Sequence, residues 1–183
     1  GGLLVNGIPA FKLEKSLVQR RFDLLRRRGV KIRLGVRVGR DISLGELRND
    51  FDAVYLGFGA QGPKALRVPG AELNGVVDAL PFLIEKNVPE SGLPPYEVEG
   101  KHVAVLGGGD TAMDCLRTAL RAGAKSVVCL YRRDEANMPG SHKEYDNAIE
   151  EGAVFKFLTN PIALVGNDEN QVTEVRCIRM ELG

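Results

Sequence analysis

The sequence predicts an α/β fold that contains a dinucleotide-binding βαβ unit, and three observations point to it. An apolar run at residues 102–106 ends in three consecutive glycines at residues 107–109. A helix-like pattern begins directly afterwards at Asp110, and a second apolar run follows at residues 126–131. A strand, a glycine turn, a helix and a second strand, in this order, form the unit that binds the pyrophosphate of a dinucleotide.

Each small residue of this turn has its own expected role. Gly107 makes the tight turn out of the strand, and Gly109 lets the backbone approach a phosphate without a Cβ in the way. Ala112 fills the third position of the pattern, where the helix packs against the strand. The helix start supplies N–H groups and the positive end of its dipole. A plain crossover can also carry glycines, but the flanking strands favour a cofactor site.

The composition describes a globular chain without a strong overall charge. Its 183 residues, 44% of them hydrophobic, can bury a core in one domain or two small ones. The net charge of +1 excludes a global attraction to nucleic acid or to a membrane surface. No apolar run is long enough to span a bilayer, and no signal peptide is recognisable, which favours a cytoplasmic location. Because the chain opens abruptly on Gly1 and Gly2, we expect a piece of a longer protein.

The cysteines and histidines do not form a predicted metal or catalytic site. The three cysteines are odd in number and widely spaced, which is typical of a reducing compartment and excludes iron–sulfur ligation. The two histidines, His102 and His142, are isolated, so neither is expected to be a metal ligand or a catalytic base. No nucleophile, base and orienting residue can be combined into a catalytic set.

The first half of the chain has patterns of both helices and strands. Residues 57–60 leave a predicted strand in a glycine-rich turn, and their spacing alone favours a plain turn over a second nucleotide site. The three prolines in residues 87–100 indicate a linker and a domain boundary near residue 100. The predicted elements are a packed loop at 1–14, a helix at 15–28, a half-buried strand at 30–38, a helical turn at 41–47, a strand at 52–56 and an amphipathic segment at 78–86.

The second half continues the α/β pattern. A helix is predicted at residues 110–122, and a second at 141–152 with a capping box formed by Ser141 and Glu144. A strand follows at 154–158. A hairpin is predicted from residues 162–165 and 172–180 around a polar turn.

The residues after the second strand indicate which cofactor the unit selects. NAD-binding units place an acidic residue there for the ribose hydroxyls, but Arg132, 25 positions after Gly107, and Arg133 occupy this place. Guanidinium groups suit a phosphate, so the pair predicts the 2′-phosphate of NADP(H) as the ligand. Asp134 and Glu135 follow immediately and leave NAD open as an alternative.

With these motifs in view, the chain resembles the small subunits of NADPH-dependent glutamate synthases. The stretches that carry the resemblance are GIPAFKLEK, DAVYLGFGA, ALPFLIE, EGKHVAVLGGGDTAMDCLRTALRAGAK and YRRDEANMPGSHKEYDNAIEEG. The resemblance implies two incomplete Rossmann-like domains of the glutathione-reductase type, with residues 1–100 belonging to an FAD domain and its linker and residues 101–183 to an NADPH domain. It assigns NADP(H) to Gly107, Gly108, Gly109, Asp110, Thr111, Ala112, Arg132 and Arg133, and FAD to Gly2, Gly57, Gly59 and Ala60.

The same resemblance implies an electron-input flavoprotein. NADPH would reduce FAD, and electrons would pass through iron–sulfur clusters held elsewhere to a glutamate-forming large subunit. We expect FAD to bind in the full-length protein, and the isolated chain to be inactive. The alternatives are a related subunit of the ferredoxin:NADP transhydrogenase or sulfide dehydrogenase type, and a nucleotide-binding fragment without turnover.

Overall fold

The computed structural model describes residues 2–60, 62 and 65–181, which form two compact units. The larger unit comprises Gly1–Leu13 with Pro63–Gly183, and the smaller unit comprises Glu14–Gly62. The helices are α1 (Leu3–Asn6), α2 (Lys15–Arg27), α3 (Leu44–Asp50), α4 (Ala79–Asn87), α5 (Asp110–Arg121) and α6 (His142–Glu150). The strands are β1 (His102–Leu106), β2 (Ser126–Leu130), β3 (Val154–Lys156), β4 (Thr159–Gly166) and β5 (Val172–Arg179).

The larger unit is built on a parallel sheet with the strand order β1-β2-β3. Helix α5 connects β1 to β2, and α6 connects β2 to β3. The register pairs Val103 with Val127 and Val128 with Val154. Parallel neighbours need such helical crossovers because the chain must return to the same end of the sheet. The α/β fold and its βαβ unit are therefore confirmed.

Helix α5 lies at the centre of the core of this unit. Met113, Leu116 and Ala119 are each 0% exposed, so the helix is closed off from solvent along most of its length. One side of α5 packs on the sheet, where Val127 of β2 lies in the core. Another side packs on α4, where Leu83 lies in the same core. This packing fixes the start of α5, where the glycine-rich turn joins it.

The predicted hairpin is confirmed as the antiparallel pair β4 and β5. It begins at Thr159, three residues earlier than the sequence pattern indicated. The turn is closed by Asn167, whose Oδ1 accepts hydrogen bonds from the N–H groups of Glu169 (3.1 Å) and Gln171 (2.9 Å). Asn170 has a left-handed backbone with φ 62°, which asparagine adopts more readily than most residues.

Two strand predictions in the smaller unit are wrong. Residues 30–38 alternate in polarity but form no strand, and only an isolated bridge joins Val38 to Ile42. Residues 52–56 are also irregular. A strand satisfies its backbone groups by pairing, and no strand of the described residues lies in this unit to act as a partner. Alternation determines which side chains share a face but does not supply the neighbouring strand.

The two helix starts with a Ser-x-x-Glu pattern differ in their capping. At α3, which begins later than predicted, the Ser43 hydroxyl accepts from the Glu46 N–H (3.1 Å) and the Glu46 carboxylate accepts from the Ser43 N–H (2.8 Å). The box predicted at α6 is wrong, because the Ser141 side chain makes no capping bond. Glu144 binds the guanidinium of Arg117 instead, at 2.7 Å.

The compact units divide the chain at places other than the predicted linker. The units separate after Leu13 and after residue 62, whereas the sequence places a boundary near residue 100. Residues 87–100 contain a 3₁₀ turn and contribute Tyr96 and Val98 to the packing around the core. Residues 1–14, predicted as a loop, include α1. The assignment of residues 1–100 and 101–183 to two cofactor domains stays a prediction.

An ion-pair network joins α5 to α6. Arg117, itself buried, contacts Glu144 and Glu151 at 2.7 Å each, and Arg121 contacts Glu151 at 2.7 Å. Both guanidinium groups also lie over the ring of Phe11, at 4.5 and 4.3 Å from its centre. The hydrogen bond from Arg121, and then that from Arg117, hold the pKa of Glu151 below its usual range against the opposing effect of burial. The network thus depends on an ionised Glu151.

The residue after Phe11 makes a further ion pair with α5. The Nζ atom of Lys12 lies 2.7 Å from Oδ1 of Asp114, whose side chain is buried. Burial raises the pKa of Asp114, and the hydrogen bond from Lys12 opposes that rise. The segment before the smaller unit is therefore attached to α5 by an aromatic contact and by a charged one.

We expect the larger unit to lose stability as the pH falls below about 4.5, because Glu151 has a lower pKa when folded than when unfolded. This contribution is fully present above the unfolded pKa and is lost as the pH falls through the folded one. Glu151→Gln should lower stability at neutral pH and flatten the acid dependence in urea unfolding curves. Glu150→Gln, at an exposed neighbour, is the control. Equal acid slopes for parent and Glu151→Gln would contradict the assignment.

Candidate functional site: the glycine turn and the arginine loop

Two segments of the larger unit meet at the ends of β1 and β2. The first, residues 107–110, leads from β1 into α5 and is called the glycine turn. The second, residues 131–141, leads from β2 into α6 and is called the arginine loop. Both follow the carboxyl ends of parallel strands, where open α/β sheets bind their ligands.

Gly107 has a backbone conformation that requires glycine. Its φ is +131°, which L-residues with a side chain rarely adopt. Its N–H donates to the carbonyl of Leu130 at 3.1 Å, and its own carbonyl accepts from the Cys129 thiol at 3.1 Å. These bonds fix the turn on β2. A Cβ at Gly107 would lie 3.9 Å from that of Ala112, so the two positions are in contact distance, as the pattern requires.

Gly108 and Gly109 have different surroundings. A Cβ on Gly108 would lie 2.9 Å from the ring of Tyr131 and 2.9 Å from the side chain of Met138, both of which are buried. A Cβ on Gly109 would meet nothing within 4 Å. Gly108 therefore packs directly against the arginine loop, whereas Gly109 borders open space. The sequence pattern indicated that Gly109 leaves room for a phosphate. It did not indicate that Gly108 has no room for a side chain.

Two hydrogen bonds attach the end of the arginine loop to the glycine turn. The N–H of Gly140 donates to the carbonyl of Gly108 at 2.9 Å, and the N–H of Ser141 donates to Oδ1 of Asp110 at 2.9 Å. A Cβ on Gly140 would lie 2.9 Å from that same Gly108 oxygen, so this position also excludes a side chain. Asp110, predicted to bind cofactor, thus has its carboxylate engaged in holding the loop, and its neighbour Thr111 is exposed.

The start of the arginine loop is fixed by backbone hydrogen bonds. The N–H of Tyr131 donates to Lys156, and the N–H of Leu158 donates to the carbonyl of Arg133. The side chains of Arg132 and Arg133 are exposed, and neither forms a hydrogen bond or an ion pair with any described residue. Two consecutive guanidinium groups therefore lie at the predicted position with their N–H donors free.

The two acids that follow the arginines are engaged within the larger unit. Oδ1 of Asp134 accepts from the backbone N–H of Asn137 at 2.9 Å and from its side-chain amide at 2.7 Å. Oε2 of Glu135 accepts from the hydroxyl of Tyr145 at 3.2 Å. Neither carboxylate pairs with an arginine of the loop. The sequence placed these acids beside the arginines but did not indicate that one oxygen of each carboxylate accepts hydrogen bonds from other residues of the unit.

The residues assigned to FAD lie in different units. Gly2 precedes α1 in the larger unit, with φ +52°. Gly57, Gly59 and Ala60 lie in an irregular, exposed stretch of the smaller unit, where Gly59 has φ +67°. Their common role in an FAD site stays a prediction.

Among the residues that the structure describes, no group of three or more His, Cys, Asp or Glu side chains could hold a metal ion. The three cysteines are unpaired thiols, and burial raises the pKa of Cys115 and Cys129 to about 12 each. In the same residues, no helix combines the length and apolarity needed to cross a membrane.

Comparisons with known sequences show which family the chain matches. Residues 12–175 match the sequence model of the family described as pyridine nucleotide-disulphide oxidoreductase. The chain is 49% identical to the putative oxidoreductase AegA of Escherichia coli K12 over the whole chain and 29% of that protein. It is 47% identical to the glutamate synthase [NADPH] small chain of the same strain, over the whole chain and 40% of that protein. The chain therefore spans less than half the length of these relatives.

A solved structure has the same fold. FprA of Mycobacterium tuberculosis in complex with NADPH superimposes with a TM-score of 0.72, over 99% of this chain and 60% of that one, at 18% identity. At this level of identity the similarity concerns the fold alone.

We expect Gly108→Ala to lower the free energy of unfolding by roughly 1–3 kcal/mol, because the new methyl group would overlap Tyr131 and Met138 in a packed site. Gly109→Ala is the matched control, since its Cβ meets nothing within 4 Å. Its cost should be smaller, about 0.5–1 kcal/mol, the difference between glycine and alanine at a helix N-cap. Equal losses for both variants in urea unfolding would contradict the packing described for Gly108.

Proposed function

Because this chain belongs to the pyridine nucleotide-disulphide oxidoreductase family, we propose that it is the NADPH-binding part of an electron-input flavoprotein. The glycine turn and the start of α5 hold the pyrophosphate of NADPH, and the arginine loop holds its 2′-phosphate. NADPH supplies a hydride when bound, and FAD in the full-length protein accepts it. The protein contributes binding, orientation and electrostatics to this transfer.

The observation that carries this proposal is which charged side chains of the arginine loop have hydrogen-bond partners and which do not. Arg132 and Arg133 are exposed and unpaired among the described residues, whereas Asp134 and Glu135 accept hydrogen bonds from Asn137 and Tyr145. A site for NADH needs a free acid for the ribose hydroxyls, and a site for NADPH needs free cations for the 2′-phosphate. The loop offers two free cations, and each of its two acids has one oxygen engaged.

The glycine turn fits the pyrophosphate for two reasons. Gly109 borders open space, so a phosphate oxygen can approach the backbone there. The N–H groups of Asp110 and Thr111, the first two of α5, donate to no described residue, and the dipole of the 12-residue helix places partial positive charge at the same end. Since these groups bind phosphates without a cationic side chain, the arginines are left to recognise the 2′-phosphate.

We place the full-length protein with the small subunits of glutamate synthase, which pass electrons to a large subunit. The 47% identity to one such chain supports this assignment. The 49% identity to a protein described only as a putative oxidoreductase favours an alternative, a related NADPH-dependent subunit with a different electron acceptor. The free thiols support a reducing compartment such as the cytoplasm.

The variant Arg132→Ala/Arg133→Ala should weaken NADPH binding on the order of a hundredfold, because two charge-assisted contacts to the 2′-phosphate are lost. NADH binding should change by no more than about twofold, since NADH lacks that phosphate. Isothermal titration with each cofactor measures both affinities. Arg20→Ala/Arg21→Ala, an exposed arginine pair on α2, is the control for the change in net charge. Equal loss for both cofactors would refute the assignment of the arginines.

The absorbance spectrum of the purified full-length protein separates catalysis from binding alone. A flavin spectrum that bleaches when NADPH is added is the result expected of the electron-input subunit. A colourless protein that still binds NADPH would favour a nucleotide-binding module without turnover.

A further inference from the structure

The arginine loop is organised around Asn137, a residue that the sequence did not single out. Its backbone N–H and its side-chain amide both donate to Oδ1 of Asp134, at 2.9 and 2.7 Å. Its carbonyl accepts from the hydroxyl of Tyr131 at 2.9 Å. Since the ring of Tyr131 is buried against Gly108, Asn137 is fixed relative to the glycine turn, and Asp134 is fixed relative to Asn137.

The position of Asp134 makes its hydrogen bonds important for the choice between NADPH and NADH. It follows Arg133 directly and lies two residues after Arg132. A carboxylate released at this point could neutralise either guanidinium, repel a 2′-phosphate, or accept hydrogen bonds from the ribose hydroxyls of NADH. Each of these effects would favour NADH over NADPH. The preference therefore requires that the carboxylate be held elsewhere, and within the described residues Asn137 is its hydrogen-bond donor.

We propose that Asn137 is a positioning residue that determines the preference for NADPH over NADH by holding the carboxylate of Asp134 away from the arginine pair. The inference rests on the proposed function and deepens it, because it assigns the specificity to a residue that need not touch the cofactor. Asparagine suits this role because its amide adds a second donor to the backbone N–H. An acidic residue at position 137 would repel the Asp134 carboxylate. An alanine would keep only the backbone N–H as a donor to it.

The hydroxyl of Tyr145 acts on Glu135 in the same direction, but more weakly. Its distance of 3.2 Å is longer than either bond to Asp134, and it provides a single donor. Burial, followed by the hydrogen bond to Glu135, raises the pKa of Tyr145, so the hydroxyl keeps its proton and remains a donor at neutral pH. Asn137 is therefore the residue to test first.

The test measures the dissociation constants of NADPH and NADH for four proteins: the parent, Asn137→Ala, Asp134→Ala and the double variant. Asn137→Ala should reduce the preference for NADPH on the order of tenfold, because it removes the side-chain donor and leaves the Asp134 carboxylate held by the backbone N–H alone. The double variant should return to within about twofold of the parent, because it contains no carboxylate to release. The pair 2′,5′-ADP and 5′-AMP repeats the comparison on the 2′-phosphate alone.

Asn167→Ala is the matched control. Asn167 also closes a turn of the larger unit through two hydrogen bonds, but in the β4–β5 hairpin, so its loss should leave the cofactor preference unchanged. Asp134→Ala is informative even where Asn137→Ala folds poorly. With Asn137 in place the carboxylate is already held, so its removal should change the preference by less than about threefold.

The outcomes separate this inference from the proposed function. If the parent prefers NADPH and Asn137→Ala keeps that preference, the role of Asn137 is refuted while the arginine site stands. If Asn137→Ala lowers the preference and the double variant does not restore it, Asn137 acts structurally and the inference fails. A parent that binds NADPH and NADH equally would refute the arginine site and, with it, this inference.

Discussion

The contact between Gly108 and the arginine loop is the constraint on which the candidate site depends. Because Gly108 has no side chain, the ring of Tyr131 and the chain of Met138 can lie directly on the glycine turn. The N–H of Gly140 then reaches the Gly108 carbonyl, and the N–H of Ser141 reaches Asp110. The missing Cβ thereby allows close contact between two segments that, in our proposal, bind different parts of a dinucleotide.

The rigidity of that arrangement comes from the elements behind it. Helix α5 is buried between the sheet and α4, so the turn at its start cannot move independently of the core. Arg117 and Arg121 attach α6 to α5 through Glu151, and their guanidinium groups cover Phe11. Because Arg117 is buried, the loss of its carboxylate partners would leave an uncompensated charge in the interior, which is strongly destabilising.

The loop itself separates charges by hydrogen bonding. Four ionisable side chains are consecutive at residues 132–135, two arginines followed by two acids. Asn137 and Tyr145 engage the two acids, so the two arginines keep their full hydrogen-bonding capacity. In the proposed site, a neutral amide and a phenol thus leave two cations available to a ligand.

Much of the larger unit could be predicted from local pattern. The strands β1 and β2, the helix α5, the hairpin and the glycine turn all follow from periodicity and turn chemistry, which act over a few residues. The strands predicted at residues 30–38 and 52–56 failed because a strand needs a partner, and alternation contains no information about one. The capping box at Ser141 failed because Glu144 is drawn to Arg117, 27 residues away.

By itself, the sequence determined the α/β class, the position of the glycine turn and the identity of the residues after β2, because short-range sterics and hydrogen bonding decide these features. Only the tertiary structure decided that Gly108 is the packed glycine, that Asp110 holds the loop, and that Asp134 and Glu135 are engaged while Arg132 and Arg133 are free. The role of Asn137 is also a feature that only the tertiary structure decided. Its role depends on which neighbours its donors reach in space, and spacing along the chain does not contain that information.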